Sequence, residues 1–167
     1  MKQNNAIIYC YRRNSQIISS LIILIILPNL LGLINISTPW EFKIHFFQLA
    51  IFIAAILYGP QGGLFAGALG SLSSALLMHN PYIIIGNTIL GLFVGLFFGK
   101  GFSIIWATLF AYSLELPWLI LTDHYLLHLS FPAIERITIA LAISNLLWAL
   151  CAYYLIPLFK KLPQNIF

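Results

Sequence analysis

Apolar residues fill the chain in six long runs, at about 17–36, 45–58, 62–78, 82–99, 102–123 and 133–158, with short polar interruptions between them. A spanning helix needs roughly 20 mostly apolar residues at about 1.5 Å of rise each. Each run is therefore read as a membrane-crossing helix, the second and third being short. Nearly all 167 residues fall within or beside these runs. The expectation is an all-α integral membrane protein: a single domain, residues 1–167, built as a six-transmembrane-helix bundle.

Composition agrees. The chain is 61% hydrophobic and 7% charged, with a mean hydropathy of +0.97. A soluble domain of this size leaves too much surface exposed to hide so many apolar side chains. Charge then sets orientation. With both termini cytoplasmic, the inner side holds six basic residues: Lys2, Arg12, Arg13, Lys100, Lys160 and Lys161. The outer side holds Lys43 and Arg136, which satisfies the positive-inside bias. The net charge of +4 thus reflects topology, and no clustered basic surface calls for nucleic acid. Cys10 and Cys151 suggest neither a disulfide nor a metal spacing. The first run follows Arg12 and Arg13 as a signal peptide would. It lacks a small-residue cleavage site, and Pro28-Asn29 interrupts it, so it is kept as a span.

The two sides differ in chemistry. The inner turns are terse, Tyr58–Gly62 and Gly99–Gly101. The outer segments Asn35–His45, His79–Tyr82 and Thr122–Arg136 hold or adjoin all four histidines and three of the four acids. Glu115 is the fourth acid, and it lies inside a span. Pro60, Pro81 and Pro132 sit near predicted helix starts, where a missing N–H costs little. Pro117 falls within the fifth span, where it should kink the helix and free a carbonyl.

Two stripes of small residues repeat every fourth position: Gly91, Gly95, Gly99, and Gly59, Gly63, Gly67, Ser71, Ala75. A step of four keeps residues on one helix face. In lipid, small residues let backbones approach and gain dispersion contacts. Ordinary bundle packing accounts for both stripes. The sharper reading gives one stripe to the bundle and the other, at Gly91 and Gly95, to a partner protein.

Glu115 is the most informative residue, about 12 Å along its helix from Asp123. An ionisable group at that depth faces a cavity or a partner. Trp118 is three residues on and shares its face, and an acid beside an aromatic ring suits a cationic or heteroaromatic ligand. Trp118 is also explained as an interfacial anchor. Asn87 on the fourth span, and Asn145 with Trp148 on the sixth, either bond across helices or hold a polar ligand edge; Gln48 is a weaker case. Trp40, Glu41 and His45 in the first outer loop would form a lid. His124 and His128, four apart, would share a helical face and with Asp123 could hold a metal, although one such pair beside an interface is also plain loop chemistry. No hydrolase, zincin or Walker-type signature is present. An enzymatic role is not expected, no cofactor is called for, and any ATP-driven work falls to another subunit.

The stretches "HFFQLAIFIAAILYGPQGGLFAGALGSL" (His45–Leu72) and "GNTILGLFVGLFFGK" (Gly86–Lys100) resemble the S components of energy-coupling factor (ECF) transporters. The shared pattern is a span, a Gly-Pro-x-x-Gly turn, a glycine-rich span, and another ending in Gly-Lys. The resemblance implies an outward-opening pocket for a vitamin-like small molecule, lined by the first loop and later helices. It implies a multi-pass protein of a prokaryotic plasma membrane, working with a transmembrane T component and two cytoplasmic ATPase subunits. Such proteins often dock the T component through Ala-x-x-x-Ala on the first helix. The nearest match here is Ser15-x-x-x-Ser19. The N-terminal Met-His of the metal-transporting branch is replaced by Met1-Lys2, which favours an organic ligand. Two other classes fit the same hydropathy. One is a structural membrane protein of MreD-like cell-shape type, which needs no pocket. The other is a metal-binding membrane enzyme or metal-ion transporter using Asp123, His124 and His128.

Overall fold

The computed structural model describes residue 19, residues 22–37 and residues 43–159. A π-helical turn, Ile22–Ile26, leads into α1, Leu27–Gly32. Strands β1 (Asn35–Ser37) and β2 (Lys43–His45) pair antiparallel, with Ile36 opposite Ile44. Five helices follow: α2 (Phe47–Gly70), α3 (Leu72–Leu77), α4 (Tyr82–Gly99), α5 (Ile104–Leu121, extended by a π-helical turn Thr122–Leu126) and α6 (Phe131–Phe159). Apart from the three-residue ribbon pair, the described regular structure is helical. Four segments are long and apolar enough to cross a membrane: Phe47–Leu77, Tyr82–Gly99, Ile104–Leu126 and Phe131–Leu155.

Two expected boundaries move. Hydropathy predicts the first helix to residue 36, but the helix stops at Gly32 and Asn35–Ser37 is strand. The second and third runs emerge as one helical stretch broken at Gly59, whose φ of 67° and ψ of −156° are not helical. That positive φ suits glycine, and Pro60 follows where a lost N–H is harmless. The break is a reversal. A β-carbon on Gly62 would lie 2.6 Å from the Ala54 carbonyl oxygen, and one on Gly63 would lie 3.1 Å from the Ala55 methyl. Residues eight apart in a straight helix are about 12 Å apart along its axis. The arms 47–58 and 60–70 therefore fold back on each other.

The first arm is the centre of the bundle. Ala50, Ile51, Phe52, Ile53, Ala54 and Ala55 are consecutive and all buried, as in a helix surrounded on every side. α4 packs along the second arm, backbone to backbone: Gly63 meets the Gly91 carbonyl, Gly67 meets the Asn87 carbonyl, and Gly95 meets Gly59. No side chain fits between them. The Gly91 and Gly95 face expected to receive a partner is thus covered by the chain's own α2. Of the Ser15-x-x-x-Ser19 pair, Ser19 is exposed and Ser15 lies outside the described residues.

Asn29 ties α1 to the break between α2 and α3. Its Nδ2 donates to the Ile25 and Leu69 carbonyls, both at 2.7 Å. Its Oδ1 accepts from the Ser73 backbone N–H at 2.8 Å, and its own carbonyl accepts from Ser73 Oγ at 2.9 Å. Pro28 packs where a Gly70 side chain would stand. α5 continues through Pro117 to Leu121. The outward residues of the helices, Leu76, Trp106, Ile143 and Leu150 among them, are large and apolar, as a lipid-facing surface requires.

Candidate functional site

The register of α2 against α4 creates a hollow. Ile51 meets Gly91, so Phe47 and Gln48, one turn earlier, come level with Asn87. α4 runs on for another turn to Tyr82, and α6 begins 14 residues before Asn145. Above the first turn of α2 a cavity of about 480 Å³ is left, within the range that small-molecule sites occupy. His45, Phe47 and Gln48 form its floor. Tyr82, Ile83, Gly86, Asn87 and Leu90 of α4 line one wall, Glu115, Trp118 and Leu119 of α5 the next, and Ile137, Leu141 and Asn145 of α6 the third. Asn80, Asp123 and Arg136 stand at the polar end of the bundle and also line it.

The residues singled out in the sequence divide clearly. Glu115, Trp118, Asn87, Asn145 and His45 all line this one cavity, from three helices and the ribbon. Trp148 does not: it is buried with its ring 4.6 Å from that of Phe46. Trp40 and Glu41, the proposed lid, lie outside the described residues. Asp123 lines the cavity and its carboxyl is hydrogen-bonded to the Asn80 side chain. His124 points elsewhere, with Nδ1 3.3 Å from the Leu129 carbonyl and its ring 4.3 Å from Phe131. The π-helical turn ends the helix at Leu126, and His128 takes a positive φ of 54°. The helical register that would align His124 with His128 is therefore absent. Among the described residues no three His, Cys, Asp or Glu side chains converge as a metal site would need.

The hydrogen bonds of the lining separate supports from open groups. Asn87 Nδ2 donates to the Ile83 carbonyl at 2.9 Å, and Trp118 Nε1 donates to the Tyr82 carbonyl at 3.1 Å. Both bonds fix a side chain against α4. Three other polar atoms are buried and have no hydrogen-bond partner among the described residues: Gln48 Oε1, Glu115 Oε2 and Asn145 Oδ1. Their residues are 1%, 7% and 2% exposed. Ser74 Oγ, Thr108 Oγ1, Ser144 Oγ and Trp148 Nε1 are also buried without partners among the described residues and do not line the cavity. Buried polar groups are nearly always paired, so the gathering of three open oxygens on one cavity needs an explanation.

Gly86 makes room for the acid. A β-carbon there would lie 3.0 Å from Glu115 Oε1 and 3.6 Å from Trp118 Cδ1. Gly86, Asn80 and Arg136 carried no sequence signal that marked them as lining. Gln48 did carry one, as the sole amide in an otherwise apolar run, but its weight emerged only when the α2 start came level with Asn87.

Searches for a matching protein-family model, for a similar curated protein and for a similar solved structure each found no match.

Proposed function

We propose that the chain is the substrate-capturing membrane subunit of an uptake transporter, an S component of the ECF type. One observation carries this reading: a half-open, largely apolar cavity whose lining keeps three buried oxygens without partners. A protein built only for structure gains nothing from such a hollow, because each open buried group costs roughly 1–3 kcal/mol. A binding subunit recovers that cost when its ligand supplies the missing bonds.

In the proposed topology the chain crosses a prokaryotic plasma membrane six times, with both termini cytoplasmic. The crossings are α1 with its preceding turn, the two arms about Gly59, α4, α5 and α6. Gly59 and Gly95 are in contact, which sets the Gly59 and Lys100 turns at one end. The cavity and its polar rim are at the other. Lys100 on the cytoplasmic side then leaves the cavity facing outward, where a vitamin-like molecule would enter. Glu115, Asn145 and Gln48 hold the polar edge of that molecule, and Trp118 flanks it. ATP hydrolysis belongs to separate cytoplasmic subunits reached through a T component, and the chain itself is not an enzyme.

Native mass spectrometry of the purified chain tests the proposal. The expected spectrum contains a stoichiometric small organic adduct that is lost in Glu115→Gln. An empty protein that binds nothing from a panel of vitamins and precursors would support the structural class instead.

A further inference from the structure

We infer that the ligand of this cavity is a flat organic cation, whose N–H groups meet the oxygens of Gln48, Glu115 and Asn145 while its ring lies along Trp118. The inference rests on the capture reading and specifies its cargo.

The argument starts from what the walls lack. The three open atoms are all oxygens, and they come from α2, α5 and α6. A ligand that satisfies all three as they stand brings donors. Either amide can rotate to present N–H instead, and a neutral carboxyl carries one O–H, but a carboxylate offers only acceptors. An acid this deeply buried holds a charge only beside a countercharge, and a cationic ligand at Glu115 supplies it. Two donors beside the acid are already engaged: Trp118 Nε1 by the Tyr82 carbonyl and Asn87 Nδ2 by the Ile83 carbonyl. With its N–H tied back, Trp118 presents π surface, which attracts a cation when water is excluded. The acid and the indole share one face of α5, and Gly86 opposite leaves both uncrowded. Phe47, Leu90 and Leu141 supply apolar walls against which a ring can lie.

The other ionisable groups at the cavity do not reverse this. Asp123 adds a second acid, bonded to Asn80. Arg136 stands at the rim and donates through Nε to the Pro132 carbonyl at 3.3 Å. His45 lies at the start of α2, 5.9 Å from the ring of Phe47. Asp123 and Arg136 share the polar end, and Asn145 lies nine residues, about 13.5 Å, further along α6 than Arg136.

An amine-bearing lipid headgroup has related chemistry, so the test separates the two sources. The full chain is purified in detergent free of aminophospholipid and titrated calorimetrically with three molecules of one shape: benzamidinium, benzoate and benzamide. Benzamidinium is expected to bind about tenfold more tightly than either of the others, as a charge-assisted bond to a carboxylate implies. Glu115→Gln should erase that preference without lowering the melting temperature. Asn145→Asp, which adds a further carboxylate to the lining, should widen it. Native mass spectra identify the natural occupant by mass as a free molecule or a lipid. Tightest binding of benzoate, or an anionic occupant, would overturn the cation assignment and leave ligand capture standing. A lipid occupant would overturn the assignment of a free cargo. Equal binding of all three would remove the role given to Glu115. No binding and no occupant would remove the capture reading itself.

Discussion

α4 has two working faces, and they obey opposite rules. Its Gly91 and Gly95 side lies against α2 with backbone touching backbone and no room for a methyl group. Its Ile83, Gly86 and Asn87 side opens on a cavity where neighbouring helices present polar atoms without partners. In lipid, the first arrangement is how helices gain dispersion contacts. The second gives up both packing and hydrogen bonds. The proposed ligand site therefore rests on the face that leaves its groups unsatisfied and not on the face with the more conspicuous motif.

Substitutions on the two faces should separate these roles. The largest effect is expected for Gly91→Val, whose side chain would run into the Gly63 carbonyl. A loss of about 3 kcal/mol or more follows from such overpacking, read as failure to recover monodisperse protein or as a collapsed thermal transition. Next comes Asn29→Ala, which removes the side-chain bonds between α1 and the Leu69–Ser73 segment. Leaving those groups unpaired should cost about 2 kcal/mol, measured by thermal unfolding in detergent.

Glu115→Leu gives the sharpest contrast. It replaces an open buried polar group with an apolar one, so the ligand-free protein should be unchanged or more stable by about 1 kcal/mol, while ligand binding disappears. A clear destabilisation of the empty protein would show that the acid has a structural partner after all. Gly99→Ala should have the smallest effect. Gly99 belongs to the same stripe as Gly91, but nothing lies within 4 Å of its β position. A gain of up to about 1 kcal/mol from better helix propensity is expected, visible as a small rise in melting temperature.

Much of the fold was legible from the sequence where local chemistry marks an end. The run expected at 82–99 is helix Tyr82–Gly99, bounded by Asn80-Pro81 on one side and Lys100-Gly101 on the other. The first run was misjudged at its far end because Ile34 and Ile36 are as apolar as the helix before them. The pairing of β1 with β2 claims that stretch, and pairing is a long-range choice that hydropathy does not encode. Pro117 lies inside α5 and does not end it, since the helix runs through to Leu121.

The candidate site shows the same division. Glu115, Trp118, Asn87 and Asn145 stood out because a polar or amphipathic group inside an apolar run is conspicuous on its own. Trp148 was grouped with Asn145 as sharing one face. A separation of three residues still rotates a side chain by about 60° around a helix with 3.6 residues per turn, and that turns Trp148 onto Phe46. Gly86 was invisible because its contribution is the absence of a side chain, which has meaning only once Glu115 is seen opposite. The partner face assigned to Gly91 and Gly95 failed for a similar reason. A small-residue stripe says that something packs closely, and only the reversal at Gly59 says that the something is the chain itself.

The central claim is that the hollow above α2 is a ligand site. An experimental density map of the purified chain, detailed enough to see side chains, examines it directly. The account predicts a compact non-protein feature within hydrogen-bonding distance of Glu115, Gln48 and Asn145. A map in which these three side chains bond to one another and the hollow has closed would contradict it.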